Sequence, residues 1–426
     1  MFRQSSAPTH PQSFKAGLSP EVPLSGGRTI WLLGPALVAG VAYLDPGNVA
    51  SNMTAGAIYG FLLVWVVVLG NVMAWLVQYL SAKLGVVTGR TLPEVLGDRL
   101  RRPARLAYWG QAELVAAATD LAEVIGGAVA LNLLFGTPLL VGGLITGVVS
   151  LLLLALQTGT GQRRFEAVII AFLVVIAAGV LAGTVVSAPD AGEAVAGLVP
   201  RFEDSGAVLL AASMLGATVM PHAIYLHSAL ARDHHGVVPP GTQRRAVLRA
   251  TRVDVLAALV VAGALNISML LLAASALRGV EGTDTLEGAH AAVTDALGPV
   301  IGVLFALALL ASGLASTSVG AYAGAVIMQG LLKAKVSLLT RRVVTLVPAL
   351  VVLAVGIDPT RALVVSQVVL SFGIAFALIP LLRLTGDRAL MGADANGAPL
   401  RWAARAAVAV VVVLNASLIV LTVTGT

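Results

Sequence analysis

From residue 29 onward the chain is a succession of long apolar runs separated by short polar, mostly basic stretches. About 20 mostly apolar residues make a membrane-spanning helix. Eleven runs meet that need: 29–59, 61–82, 106–133, 139–157, 164–186, 207–231, 253–277, 299–330, 343–356, 362–382 and 403–424. The first is long and interrupted; the ninth is short. Residues 1–28 are polar, with Pro and Ser scattered through them and no apolar run. They predict a flexible cytoplasmic tail, not a cleaved signal peptide.

Composition agrees with this pattern. Hydrophobic residues make up 58% of the 426, charged residues 11%, and mean hydropathy is +0.93. A soluble domain carries about 25% charged residues to cover its surface. This chain has too few, so it reads as an all-α polytopic membrane protein. Cysteine is absent, which excludes disulfides, thiolate metal sites and thiol nucleophiles. Any soft sulfur ligand is then one of the eight methionines.

Net charge is +6, but in a membrane protein its placement matters more than its sum. All but three of the 27 basic residues fall in the tail or in alternate loops, including Lys83, Arg90, Arg99, Arg232, Arg341, Arg342, Arg383 and Arg401. The opposite side holds Arg201, Arg278 and Arg361 beside acids such as Asp190, Glu193, Glu281 and Asp295. The positive-inside rule predicts a cytoplasmic amino terminus and, with eleven spans, an extracytoplasmic carboxyl terminus. The basic excess is a topology signal, and no nucleic-acid partner is expected.

Two spans are interrupted. The first contains Asp45-Pro46-Gly47-Asn48, which sets a carboxylate, a helix breaker and a flexible residue in mid-membrane. Carbonyls freed there must face protein or a water-filled cavity. The bland alternative is a kinked helix with a paired Asp, but a carboxylate at that depth costs several kcal/mol and points to function. The sixth span carries Ala217-Thr218-Val219-Met220-Pro221-His222. Five spans separate the two starts, and an odd number inverts the second unit. That is the sign of inverted repeats, here 29–186 and 207–382 with an additional helix at 403–424. Such transporters bind substrate where two discontinuous helices meet.

Asp45 and Asn48 offer oxygen at the break, Met220 offers a thioether, and carbonyls near Ala42 and Ala217 offer more oxygen. One carboxylate among neutral oxygens suits a divalent cation, and a thioether favours transition metals over calcium or magnesium. A methionine taken alone is core filler; beside a broken helix with an opposing Asp, ligation is the better reading. His222 can be a ligand, a proton acceptor or a packed core histidine, with a proton-linked or gating role preferred. His227 either continues a polar path or packs between helices, and His234 and His235 are expected to face water.

These residues resemble the Nramp family of divalent-metal transporters, most closely its bacterial proton-dependent manganese importers. The resemblance rests on Asp45-Pro46-Gly47-Asn48 and Met220-Pro221-His222. It extends through Thr119-Asp120-Leu121-Ala122-Glu123 and Ser366-Gln367-Val368-Val369-Leu370-Ser371-Phe372, and covers essentially all of residues 29–426. It implies a LeuT-like fold of two inverted five-helix repeats plus one helix, in the plasma membrane of a bacterium. It also implies metal contact by the Asp45 carboxylate, the Asn48 amide, the Met220 sulfur and the Ala42 and Ala217 carbonyls, with Gln367 joining in some states. A branch of the family that moves magnesium lacks the methionine, and Met220 argues against that branch.

Glu113, Asp120 and Glu123 fall within an arc of roughly 80° on one helix, an acidic stripe that must face the bundle interior. Arg341 and Arg342 are its expected partners, either in a structural ion-pair network or, as the resemblance implies, in a path carrying protons to the cytoplasm. A proton displaced from Asp45 by metal would pass first to Asp120 and then to Glu123. Zinc-protease, nucleophile-elbow and phosphate-loop motifs are absent from the sequence. The expected function is proton-coupled import of Mn2+, with Fe2+ and related metals, needing no cofactor and no obligate protein partner. The rivals are a sodium-coupled amino-acid symporter of the same fold and an intramembrane enzyme. The first leaves Met220 with little to do, and the second lacks another carboxylate at either break.

Overall fold

The computed structural model describes residues 42–157, 162–334 and 337–424, and every element within them is helical. The expected tail, the first half of the interrupted span (29–41), residues 158–161 and Lys335 lie outside these residues. A 3₁₀ turn, Ala42–Leu44, leads into α1 (Pro46–Tyr59), α2 (Val64–Thr88), α3 (Leu92–Arg99), α4 (Arg102–Phe135), α5 (Leu139–Gln157) and α6 (Gln162–Ser187). Then come α7 (Ala191–Ala196), α8 (Ser205–Val219), α9 (Pro221–His235), α10 (Thr242–Ala276) and α11 (Leu286–Leu297). The chain continues through α12 (Pro299–Ile327), which ends in a π turn at Met328–Leu332, α13 (Leu338–Val355), α14 (Pro359–Gly386), α15 (Arg388–Met391) and α16 (Ala398–Thr424).

Eight described helical stretches are long and apolar enough to cross a membrane, with α8 and α9 counted as one. The expected first, fourth and ninth spans are represented by α1, α5 and α13. Outward faces of the peripheral helices are apolar: Leu144, Val148 and Leu152 on α5, Val344, Val347 and Val351 on α13, and Val413 and Val420 on α16 are all exposed. Such a belt is a lipid-facing surface. The broken helices lie inside it. α1 packs against α10, α8, α14 and α4, and α8 packs against α14 and α2. Residues 46–57 of α1 are all buried, although Asn48, Ser51, Asn52 and Thr54 are polar. A helix apolar on all faces suits lipid; one carrying buried polar groups needs partners, and α1 finds them on its neighbours.

The loop after the second span holds a short helix, α3, started by a capping box of Thr91 and Glu94. Two expectations are corrected. The ninth span begins at Leu338, earlier than residue 343, where the Ser337 side chain accepts the Thr340 N–H. Arg341 and Arg342 therefore lie inside a helix and are buried, and do not act as loop charges. His234 and His235 are half-buried, with ring centroids 4.7 Å apart, because α9 continues through them.

Candidate functional site

At the first break, Asp45 has ordinary extended geometry (φ −73°) and caps α1 with its own carboxylate. Its Oδ1 accepts the Asn48 backbone N–H at 2.8 Å and the Asn48 side-chain amide at 3.1 Å. Pro46 suits the first helical position, where no N–H is needed, and the helix N-terminus favours a carboxylate. The preceding carbonyls are taken up by the protein. Asn266 on α10 donates to the Tyr43 carbonyl at 3.1 Å, and the Ser312 hydroxyl on α12 donates to that of Leu44. Sequence reasoning missed both donors, since a lone Asn or Ser in an apolar run gives no sign of a partner this distant in sequence.

The second break is made differently. Met220 joins α8 to α9 at φ +24° and ψ 99°, and α9 has no side-chain cap. A positive φ is strained for a bulky residue. Met220 is buried and packs with Ala223, Val319 and Ala323. The Asn48 amide donates to the Ala217 carbonyl at 2.9 Å, and Ser51 and Ser213 hydroxyls meet at 2.6 Å. These bonds fasten the two breaks together. Gln367 on α14 completes the group, with its amide 3.4 Å from Asp45 Oδ2. Glycine at position 47 lets Gln367 come close, because a Cβ there would lie 1.9 Å from Gln367 Nε2 and displace that side chain.

Two buried oxygens in this group, Asn48 Oδ1 and Gln367 Oε1, have no hydrogen-bond partner. Among the described residues no three His, Cys, Asp or Glu side chains cluster as a metal cage. A cation here would meet one carboxylate and neutral donors only. Ala42 opens the 3₁₀ turn before Asp45. The structure thus brings together Asp45, Asn48, Ala217 and Gln367, with Met220 at the break itself.

The acidic stripe lies on α4. Arg342 Nη1 donates to Asp120 Oδ1 at 2.8 Å and Glu123 Oε2 at 3.1 Å. Its other nitrogens reach Ser150 on α5 and Thr317 on α12, each at 3.1 Å. Arg341 lies 3.5 Å from Asp120 Oδ2 and 3.1 Å from Glu113 Oε1, the latter an ion pair without hydrogen-bond alignment. Three carboxylates thus face two guanidinium groups, so the fully ionised cluster has one surplus negative charge. The stripe abuts the first break: a Cβ at Gly126 would be 2.1 Å from Pro46 Cβ, so glycine lets α4 lie directly against it. His222, in the first turn of α9, places Nδ1 3.1 Å from the Thr119 hydroxyl. His227 pairs with Gln78 on α2 at 2.7 Å.

The family model described as natural resistance-associated macrophage protein-like, Nramp, matches residues 36–421. The chain belongs to the Nramp family. It is 60% identical over 399 residues, 93% of each chain, to the divalent metal cation transporter MntH of Mycobacterium tuberculosis. It is 50% identical to the MntH of Aeromonas hydrophila, over 91% of this chain and 95% of that one. Among solved structures it is similar to the Eremococcus coleocola manganese transporter in complex with an aromatic bis-isothiourea substituted compound. There the TM-score is 0.84 at 29% identity, covering 95% of this chain and 90% of that one. A nucleobase-cation-symport-1 family transporter matches at TM-score 0.54 and 17% identity, over 82% and 77% of the two chains, which speaks for the fold alone. Nramp proteins are transporters, so the enzyme reading falls, and the LeuT-like fold that the resemblance implied stands.

Proposed function

We propose that the chain imports divalent transition-metal ions, manganese foremost and ferrous iron with it, coupled to protons by alternating access. The observation that carries this reading is the convergence of the Asp45 carboxylate, the Ala217 carbonyl and two uncommitted amide oxygens at the paired breaks. Turning the Asn48 amide would present its oxygen to a cation while Asp45 supplies formal negative charge at the break. The Met220 thioether and the Ala42 carbonyl complete the donor set, and sulfur tilts it away from calcium and magnesium. A donor set this lean in charge suits a cargo that must leave again.

Proton coupling follows from the charged cluster. One proton neutralises its surplus charge, and a dication arriving at Asp45 repels a proton held there. Asp120 and Glu123 accept it, Glu113 and the two arginines complete the path, and His222 lies at its side through Thr119. The basic side is the cytoplasmic one, with the carboxyl terminus outside. Manganese uptake into proteoliposomes carrying an internal pH dye tests the whole reading. Acidification that tracks uptake, without sodium or amino acid, is the expected result. Uptake that needs an amino acid would restore the symporter.

A further inference from the structure

We propose that the cleft between the end of α14 and the start of α16 binds the phosphate headgroup of an anionic phospholipid. A cavity of about 380 Å³ opens there, lined by Arg383, Arg401 and Arg405 together with Ile379, Leu382 and Val408. Its size falls within the range of about 300–1,000 Å³ common to small-molecule sites. Arg401 and Arg405 are four residues apart, so they share one face of α16. Arg383 approaches from the last turn of α14.

Three guanidinium groups around one cavity repel each other unless an anion joins them. Three other arginines at this end of the bundle already have acids: Arg99 with Asp387 at 2.9 Å, Arg232 with Glu94 at 2.9 Å and Arg244 with Asp394 at 3.2 Å. None of the three cleft arginines is ion-paired to a described carboxylate, and Asp387, the acid beside the cleft in sequence, is taken by Arg99. Guanidinium forks match phosphate oxygens geometrically.

Depth favours a lipid over a soluble anion. Beyond Arg405 the run 406–424 rises about 28 Å, close to the thickness of the hydrocarbon core, so the arginines stand at its edge. Trp402 is 67% exposed and lies beneath the Arg405 guanidinium at 5.0 Å, the arrangement of a residue anchored among headgroups. Ile379, Leu382 and Val408 provide an apolar wall for an acyl chain, which free phosphate would leave uncovered. Position 386 keeps the cleft open, since the one atom a Cβ on Gly386 would meet is Arg401 Cδ, at 4.0 Å.

The test uses the full chain in native mass spectrometry, with phosphatidylglycerol, phosphatidylcholine and glycerol phosphate as probes. The wild type should retain phosphatidylglycerol about tenfold over phosphatidylcholine, and R383Q/R401Q/R405Q should lose that preference. R102Q/R245Q/R249Q removes as much charge from the same end and should keep it. Gly386→Leu, which fills the cleft and leaves every charge, should weaken retention, and it decides the matter if the triple variant does not fold. Equal loss in both triple variants, no wild-type preference, or displacement by glycerol phosphate at matched concentration would each overturn the assignment.

Discussion

The two breaks occupy equivalent places in the chain but are built to different standards. At Asp45 the backbone is unstrained, the carboxylate caps α1, and Asn266 and Ser312 take up the carbonyls before it. At Met220 the φ is +24° and α9 starts without a side-chain cap. The first break is a fixed seat for charge, buttressed by α10, α12 and, through Gly126, α4. The second stores strain in the connection between two half-helices. Strain persists only where the surroundings impose it, so on the proposed alternating-access reading the second break serves as the hinge and the first as the anchor.

The sharpest way to break this contrast is Asp45→Asn. Asparagine caps a helix about as well as aspartate, so α1 should form normally while the charge is gone. Manganese uptake should fall by about 100-fold or more, equivalent to about 3 kcal/mol, with thermal stability in detergent little changed. Near-normal uptake would mean that the seat lies elsewhere.

The next effect tests whether the anchor is also the start of the proton path. Asp120→Asn preserves shape but leaves Arg342 with one carboxylate fewer. Metal binding, followed by calorimetry, should survive, whereas metal-stimulated acidification should be lost and the pH dependence of uptake flattened. Breaking a buried pair can destabilise by about 3–5 kcal/mol, so a melting curve must accompany the assay. If acidification persists at the original ratio, the α4 path is wrong and His222 is the better acceptor.

How much of this was legible depends on whether a residue is out of place by itself. A carboxylate, a proline and a glycine inside one apolar run announce themselves, as do three acids on one helical face. The arginine partners were legible only in part: the pairing was foreseeable, but an apparent loop hid the helix that buries Arg341 and Arg342. Ser150, Thr317, Asn266 and Ser312 were not, because Ser, Thr and Asn are commonplace in membrane helices and their partners lie on other helices. Asn52, Asn266 and Asn415 are likewise donors between helices, Asn52 to Asn266 and Asn415 to the Ser371 carbonyl. α3 had a readable signal in Thr91-Leu92-Pro93-Glu94, a capping box with proline near its start, which a search tuned to 20-residue spans passes over.

Two substitutions at the hinge separate chemistry from strain. Met220→Ala and Met220→Gly both remove the thioether, so in both calcium should compete better against manganese while manganese transport largely survives. Only glycine also relaxes the positive φ. The glycine variant should therefore be more stable than the alanine variant by about 1 kcal/mol, read from thermal or denaturant melts. Equal stability would remove the strain, and with it the argument for a hinge. Unchanged calcium competition would remove sulfur as the selectivity element.

The smallest effect lies at the far end of α9, which α3 ties to its neighbours. Arg232 near the end of α9 pairs with Glu94 on α3, while Asp98, at the other end of α3, pairs with Lys333 at 3.0 Å and with Arg90. α3 is thus a strap from α9 to the π-turn end of α12. Hydrogen bonds from Lys333 and Arg90 hold the Asp98 carboxyl below its ordinary value. A depressed carboxyl pKa means that the strap is intact above the usual carboxylate range, near 4, and loosens only as pH falls through the lowered value. Exposed pairs are weak, so the expected change is in mobility, not in folding. The chain has no cysteine, so spin labels at Val237→Cys and Arg102→Cys would be unique. Their distance distribution should stay narrow from neutral pH to about pH 4 and broaden below it. With Asp98→Asn added it should be broad already at neutral pH. A distribution indifferent to both would leave α9 tethered by the Leu92 N–H to Ser228 Oγ bond at 2.9 Å and by apolar packing, with the ionic strap superfluous.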